Sequence, residues 1–110
     1  INQPLRVDTE EYRVYVGSHR DAKRAVTHFT TQRTVNQCSL LEVNLETGRQ
    51  HQIRAHMTWL GHPVVGDPKY GTAGPRLGLH ALRLTIKHPV TNKRLTFETQ
   101  APSDFHALIR

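Results

Sequence analysis

An α+β fold, mostly antiparallel, follows from three features of the sequence. Five segments alternate apolar and polar residues with the period of a half-buried strand. One segment switches to a helical period, with Ile53, Met57 and Leu60 at i, i+4 and i+7. Short turns join the strands, which favours antiparallel pairing with the helices laid on a face.

The elements run as follows. Residues 1–11 are polar, contain Pro4 and read as an extended lead-in. Tyr12, Val14 and Val16 alternate with Arg13 and Tyr15, predicting a strand over Tyr12–Val16. A hydrophilic connection, Gly17–Arg24, precedes a second strand over Ala25–Val35, rich in Thr, Val and Phe. Asn36-Gln37 turns the chain into Ser39–Glu46, where Leu41, Val43 and Leu45 oppose Glu42, Asn44 and Glu46. The central amphipathic helix spans about Gln50–Leu60, stopped by Gly61 and Pro63. An irregular passage, punctuated by Gly66, Asp67, Pro68, Gly71, Gly74 and Pro75, leads to a strand over Leu77–Ile86. Its apolar phase slips by one residue, which predicts a β-bulge near His80-Ala81. His88–Asn92 turns into a returning strand, Arg94–Thr99, and Ser103 caps a short C-terminal helix.

Size and charge bound the function. The 110 residues suit one domain. Fifteen Lys+Arg against nine Asp+Glu give +6 with histidine neutral, and the pI is near 10.1. No apolar run reaches the ~18 residues of a membrane span, and no secretory signal is present. The single cysteine, Cys38, forms neither an internal disulfide nor a cysteine zinc site, which favours a cytoplasmic home. A soluble basic domain has an acidic polymer as its first expected partner.

The densest polar cluster is Glu46–His56, at a strand end, a glycine turn and the start of the helix. Unpaired N–H groups gather at such a terminus and favour anions, so Arg49 there calls for an anionic partner such as a phosphate. Gln52 and His56 share a helix face. Arg54 lies beside the apolar stripe, where a guanidinium needs a carboxylate or phosphate. Two readings stand at this point: a functional anion site, or a solvated helix with Arg54 paired to a neighbouring glutamate. His51 and His56 are turned roughly 140° apart, so they do not make the i, i+4 metal pair, and no metal site is expected. Cys38 reads as a small core residue, Asp67 as a turn residue and Trp59 as core or packing surface. No nucleophile elbow and no paired carboxylates are identifiable.

Leu45-Glu46-Thr47-Gly48-Arg49-Gln50-His51-Gln52-Ile53-Arg54-Ala55-His56, followed by Leu60-Gly61-His62-Pro63-Val64-Val65-Gly66-Asp67-Pro68-Lys69-Tyr70-Gly71, resembles the C-terminal half of the pseudouridine synthases that modify large-subunit ribosomal RNA and some transfer RNAs. Arg76–Ala81, His88-Pro89 and Ala101–Phe105 match that family in order and spacing, and Lys23–Thr27 fits its preceding strand. The likeness covers nearly the whole chain and is weakest over the first twenty residues.

That resemblance implies an isomerase needing neither metal nor organic cofactor. The target uridine is flipped into a cleft, an aspartate acts on sugar or base, and the uracil rotates and rejoins through carbon. Arg54 would pair with and orient the aspartate, and Ile53 would pack near the uracil. Arg49, Gln52, Lys23 and Arg24 are expected on the substrate side, with phosphate contacts supplying affinity and the flipped uridine supplying selectivity.

The chain also departs from the family. The family's aspartate sits in a His-Arg-Leu-Asp segment before a Thr-Ser-Gly stretch. The four aspartates here, Asp8, Asp21, Asp67 and Asp104, lack that context. The family's active-site tyrosine has no counterpart, and Gln50 stands where Thr or Ser is common. The expectation is therefore a C-terminal portion of a catalytic domain, residues 1–110, inactive alone. Arg54 would lack its usual counter-ion, and the partners would be RNA and the missing N-terminal half. A non-catalytic RNA-binding module is the alternative, and a folded fragment without a role of its own is a third reading. A half-sheet should also expose an edge and an apolar face, giving self-association.

Overall fold

The computed structural model describes residues 1–35 and 37–80, the backbone of 83–87 and 94–98, and residues 103 and 108. Among these, the strands are β1 (Leu5–Asp8), β2 (Arg13–Val16), β3 (Thr27–Val35), β4 (Cys38–Leu45), β5 (Arg83–Lys87) and β6 (Arg94–Glu98), with one helix, α1 (Gln52–Leu60), between β4 and β5. Each strand pairs antiparallel with its sequence neighbour, β1 with β2, β3 with β4 and β5 with β6. The α+β class and the antiparallel pairing are as the alternation predicts. The expected C-terminal helix, the His88–Asn92 turn and the His80-Ala81 bulge lie outside the described residues, Ser103 and His80 apart.

Two boundaries differ from the sequence reading. Residues 1–11 are not a plain lead-in: Leu5–Asp8 forms β1, registered Leu5 to Val16 and Asp8 to Arg13. The alternation there is too short and too polar to stand out, and pairing with β2 supplies the missing order. The start is anchored further by mutual backbone bonds between Leu5 and Lys23, both at 2.9 Å. Residues 77–80 are not strand. They close on the preceding loop, where Gly78 N–H donates to the Val65 carbonyl at 2.7 Å, and the extended pairing begins at Arg83.

The core lies between the β1–β2 hairpin and α1. Leu5, Val14, Ala25, Ala55 and Tyr70 are buried together, with Val16 packed against them. The helix face that turns inward shares only Met57 with the expected apolar stripe. Gln52, Ala55, His56 and Met57 are buried, whereas Ile53 is half-buried and Leu60 and Trp59 are exposed at 41% and 51%. A buried hydrogen-bond network overrides the hydrophobic pattern. His56 Nε2 donates to the Gln3 carbonyl at 2.8 Å. The neutral ring then leaves Nδ1 to accept from the Thr27 hydroxyl at 2.7 Å, and the Thr27 oxygen accepts from Gln52 Nε2 at 3.0 Å. Every polar atom that the helix buries there is thus met, as burial requires.

α1 ends where Gly61 takes a left-handed conformation, φ 95°. Its N–H and that of His62 bond back to the carbonyls of Thr58 and Met57, a Schellman closure. The β3–β4 ribbon carries a bulge between Thr31 and Arg33. Only its base is buried: Phe29 is 36% exposed and Leu45 46%, so its apolar face stands partly open.

Candidate active site

Arg54 is the centre of the polar arrangement. It projects from the first turn of α1, and the loop after the helix brings Asp67 to meet it. Arg54 Nε donates to Asp67 Oδ2 and Nη2 to Oδ1, both at 2.8 Å, a bidentate fork. The Asp67 side chain is fully buried and that of Arg54 is 16% exposed. The counter-ion among the described residues is an aspartate thirteen residues on, not the neighbouring glutamate of the alternative reading. Sequence spacing does not reveal the pair because the loop, not the helix repeat, sets the distance.

Asp67 is a turn residue as predicted and more. Its Oδ1 also accepts the backbone N–H groups of Lys69 at 3.0 Å and Tyr70 at 3.2 Å. Arg54 above all, with those two N–H donors, holds the carboxyl down at about 2 against the opposing effect of burial. So acidic and so encased, it is a poor base and a poor nucleophile; its chemistry is that of a fixed counter-ion. Arg54 is correspondingly held above its ordinary value by the same bond.

The Nε/Nη2 edge of Arg54 belongs to Asp67. The guanidinium has five N–H donors, so its Nη1 side remains for a second acceptor. Among the described residues no acceptor meets Nη1.

Tyr70 supports this arrangement. Its ring is buried, with the Arg54 guanidinium carbon 5.2 Å and that of Arg13 4.8 Å from the centroid. Such cation–π contacts contribute about 0.5–2 kcal/mol each. The Tyr70 hydroxyl accepts the Val14 N–H at 2.8 Å and lies 3.1 Å from His51 Nδ1, tying the loop to β2 and to the start of α1. Burial, with Arg54 and Lys69 nearby, pushes His51 below its ordinary value. The sequence reading quotes Tyr70 without assigning it a role; its signal is the Gly66–Gly71 run closing behind the helix.

The remaining predicted residues divide. Ile53 is half-buried next to Arg54 on α1. Gln52, expected on the substrate side, is engaged within the chain. It is 3% exposed, its amide nitrogen donates to Val26 O and Thr27 Oγ1, and its oxygen accepts from Thr47 Oγ1 and the Arg49 N–H. Its side-chain amide is thus bonded on both sides within the chain. Arg49 needs no phosphate to be accommodated, since its Nε donates to the Arg24 carbonyl at 2.9 Å. That contact gathers Arg49 and Arg24 beside exposed Lys23. Glu46 stands 3.9 Å from Arg24 and 2.8 Å from His28, an exposed pairing of small energetic weight. Among the described residues, no group of three or more His, Cys, Asp or Glu side chains is placed to hold a metal. A separate hollow of about 170 Å³ lies between β2 and α1, lined by residues including Arg13, Val16, Ala55, Trp59 and Tyr70. Arg54 is not among them.

Known proteins share both this sequence and this fold. A family model described as RNA pseudouridylate synthase matches residues 1–59, just over half of the chain. The ribosomal large subunit pseudouridine synthase D of Zymomonas mobilis is 35% identical over 123 residues, spanning 100% of this chain and 39% of that protein. The uncharacterized RNA pseudouridine synthase YlyB of Bacillus subtilis is 45% identical, over 99% of this chain and 37% of its own length. The dual-specificity RNA pseudouridine synthase RluA of Haemophilus influenzae is 46% identical over 89 residues, 76% of this chain and 40% of that protein. Among solved structures, human RNA pseudouridylate synthase domain containing 1 superposes with a TM-score of 0.74 at 25% identity, covering 98% of this chain and 51% of that one. The chain thus spans about two fifths of the length of these curated relatives. Alike in sequence and in backbone to these proteins, the 110 residues belong to the RNA pseudouridylate synthase family, of whose members they represent a part.

Proposed function

We propose that this chain supplies the arginine-bearing part of the active site of an RNA pseudouridine synthase, acting on uridine in ribosomal or transfer RNA. The observation that carries the reading is the state of Arg54. One edge of its guanidinium is locked by a buried aspartate, and the Nη1 side is unmet among the described residues. A guanidinium with one edge anchored is oriented to grip a second carboxylate on the other. In the reaction that carboxylate is the aspartate of the family's His-Arg-Leu-Asp segment, brought by polypeptide outside these 110 residues. Arg54 would orient it, Ile53 would pack against the uracil, and exposed Lys23, Arg24 and Arg49 would face phosphates. No metal or organic cofactor enters this scheme, and Cys38, a free thiol, fits a reducing cytoplasm.

RNA tritiated at uridine C5 tests the reading. The 110 residues alone release no tritium; together with the segment carrying the His-Arg-Leu-Asp aspartate they do, and Arg54→Ala abolishes the release. Release by the 110 residues unaided would refute the need for a supplied carboxylate.

A second reading, a non-catalytic RNA-binding module, draws on the grouping of Lys23, Arg24 and Arg49. It predicts RNA binding whose affinity falls with salt, by about 0.7 in log K per log unit of salt for each phosphate contacted on a single strand. A gel-shift titration over ionic strength reads this slope, and a flat response counts against phosphate contacts in either reading.

A further inference from the structure

Tyr70, which neither the sequence motifs nor the comparisons assign a role, touches β2, the Asp67 turn and the Arg54 side chain at once. Its hydroxyl is fixed to β2 through the Val14 N–H, its backbone N–H is fixed to Asp67, and its ring lies beneath the Arg54 guanidinium. The fork and the ring therefore come from one turn, Asp67–Tyr70, and the guanidinium is held by both. The carboxylate limits rotation in the guanidinium plane. The ring adds a cation–π contact, its centroid 5.2 Å from the guanidinium carbon, that limits displacement of the group. Arg13, 4.8 Å over the same ring and 5.4 Å over that of Tyr15, restrains the ring in turn.

Resting on the reading of Arg54 given above, we propose that Tyr70 is a positioning residue for catalysis: it aims the Nη1 side of Arg54 at the incoming carboxylate. The role is orientational, and the charge stays on Arg54 whatever stands at position 70. Loss of the ring should then slow the chemical step and leave RNA affinity alone, because the exposed basic residues that would meet phosphates lie elsewhere. The hydroxyl belongs to the scaffold and the ring to the aim.

The experiment compares Tyr70→Phe, which keeps the ring, with Tyr70→Leu, which removes it. Both are made in the enzyme completed by the aspartate-bearing segment, with tritium release as the assay. Tyr70→Leu is expected to lower kcat by about tenfold or more with KM within about twofold, since small misplacements of a catalytic group cost this much. Tyr70→Phe keeps kcat within about threefold. A Tyr70→Leu kcat equal to that of the parent overturns the proposal, as does an equal loss in both variants or a loss expressed in KM. A parent enzyme without tritium release overturns the functional reading and this proposal with it. An active parent, an inactive Arg54→Ala and an unaffected Tyr70→Leu overturn the positioning role alone. A second measurement needs no activity: the ¹⁵N-edited resonance of Arg54 Nε–H in the 110-residue chain. It should persist at its parent position in Tyr70→Phe and move when Tyr70→Leu removes the ring current; an unmoved resonance in Tyr70→Leu overturns the contact itself.

Discussion

Arg54 and Asp67 show how one ion pair serves both stability and the site. The Asp67 carboxyl is held at about 2 instead of 3.8, a difference worth on the order of 2 kcal/mol. The sign follows from proton binding. Between the two values the unfolded chain takes up the proton more readily than the folded one, so this stability is present above about pH 4 and is lost as pH falls towards 2. His56 acts earlier. Burial pushes it below its ordinary value, so the unfolded state gains the proton first as pH falls through about 6.5. Urea titrations over pH should show stability falling in two stages, and Asp67→Asn should remove the lower one. Removing the partner outright, as in Asp67→Ala, leaves Arg54 largely buried and uncompensated; the expected loss is about 3 kcal/mol, read from the urea midpoint. Equal acid profiles for the parent and Asp67→Asn would contradict this account.

At the scale of elements, the two loops flanking α1 do different work. Gly61 closes the helix in open space: a Cβ there meets nothing within 4 Å, and the cost of Gly61→Ala is that of its left-handed backbone, about 1 kcal/mol. Gly66 is a steric necessity. At φ 73° a Cβ would stand 1.9 Å from the Arg76 carbonyl oxygen, so the passage that delivers Asp67 cannot close around any larger residue. Thermal denaturation should therefore rank Gly66→Ala well below Gly61→Ala, and a reversed order would show that the close approach relaxes freely. The helix start is likewise decided by neighbours. His51 makes no capping bond there, and the Gln52 side chain receives the Arg49 N–H instead.

For the molecule as a whole, the β3–β4 ribbon is the open question of packing made physical. Its Phe29, Val43 and Leu45 share one face by register, and both Phe29 and Leu45 are exposed. An apolar face of this kind seeks cover. The 110 residues alone should self-associate as concentration rises, and Leu45→Lys should suppress the association; static light scattering measures both. A monodisperse monomer at high concentration would show that the ribbon is satisfied as it stands.

What the residues settle unaided is local. Alternation located the longer strands to within two residues of their observed starts at Thr27 and Cys38, because period and turn chemistry act between near neighbours. Gly61 marked the end of α1 for the same reason. The motif run from Leu45 to Gly71 likewise sufficed to identify the family. The partners of those residues were decided only by the tertiary fold. Asp67 reaches Arg54, Tyr70 reaches Val14, and His56 reaches Thr27 and Gln3 through loops that no spacing rule specifies. The inward helix face followed that network and kept only Met57 of the Ile53–Met57–Leu60 stripe. A buried polar atom left unmet costs more than an exposed leucine, and which atoms can meet is fixed only when distant segments close on one another.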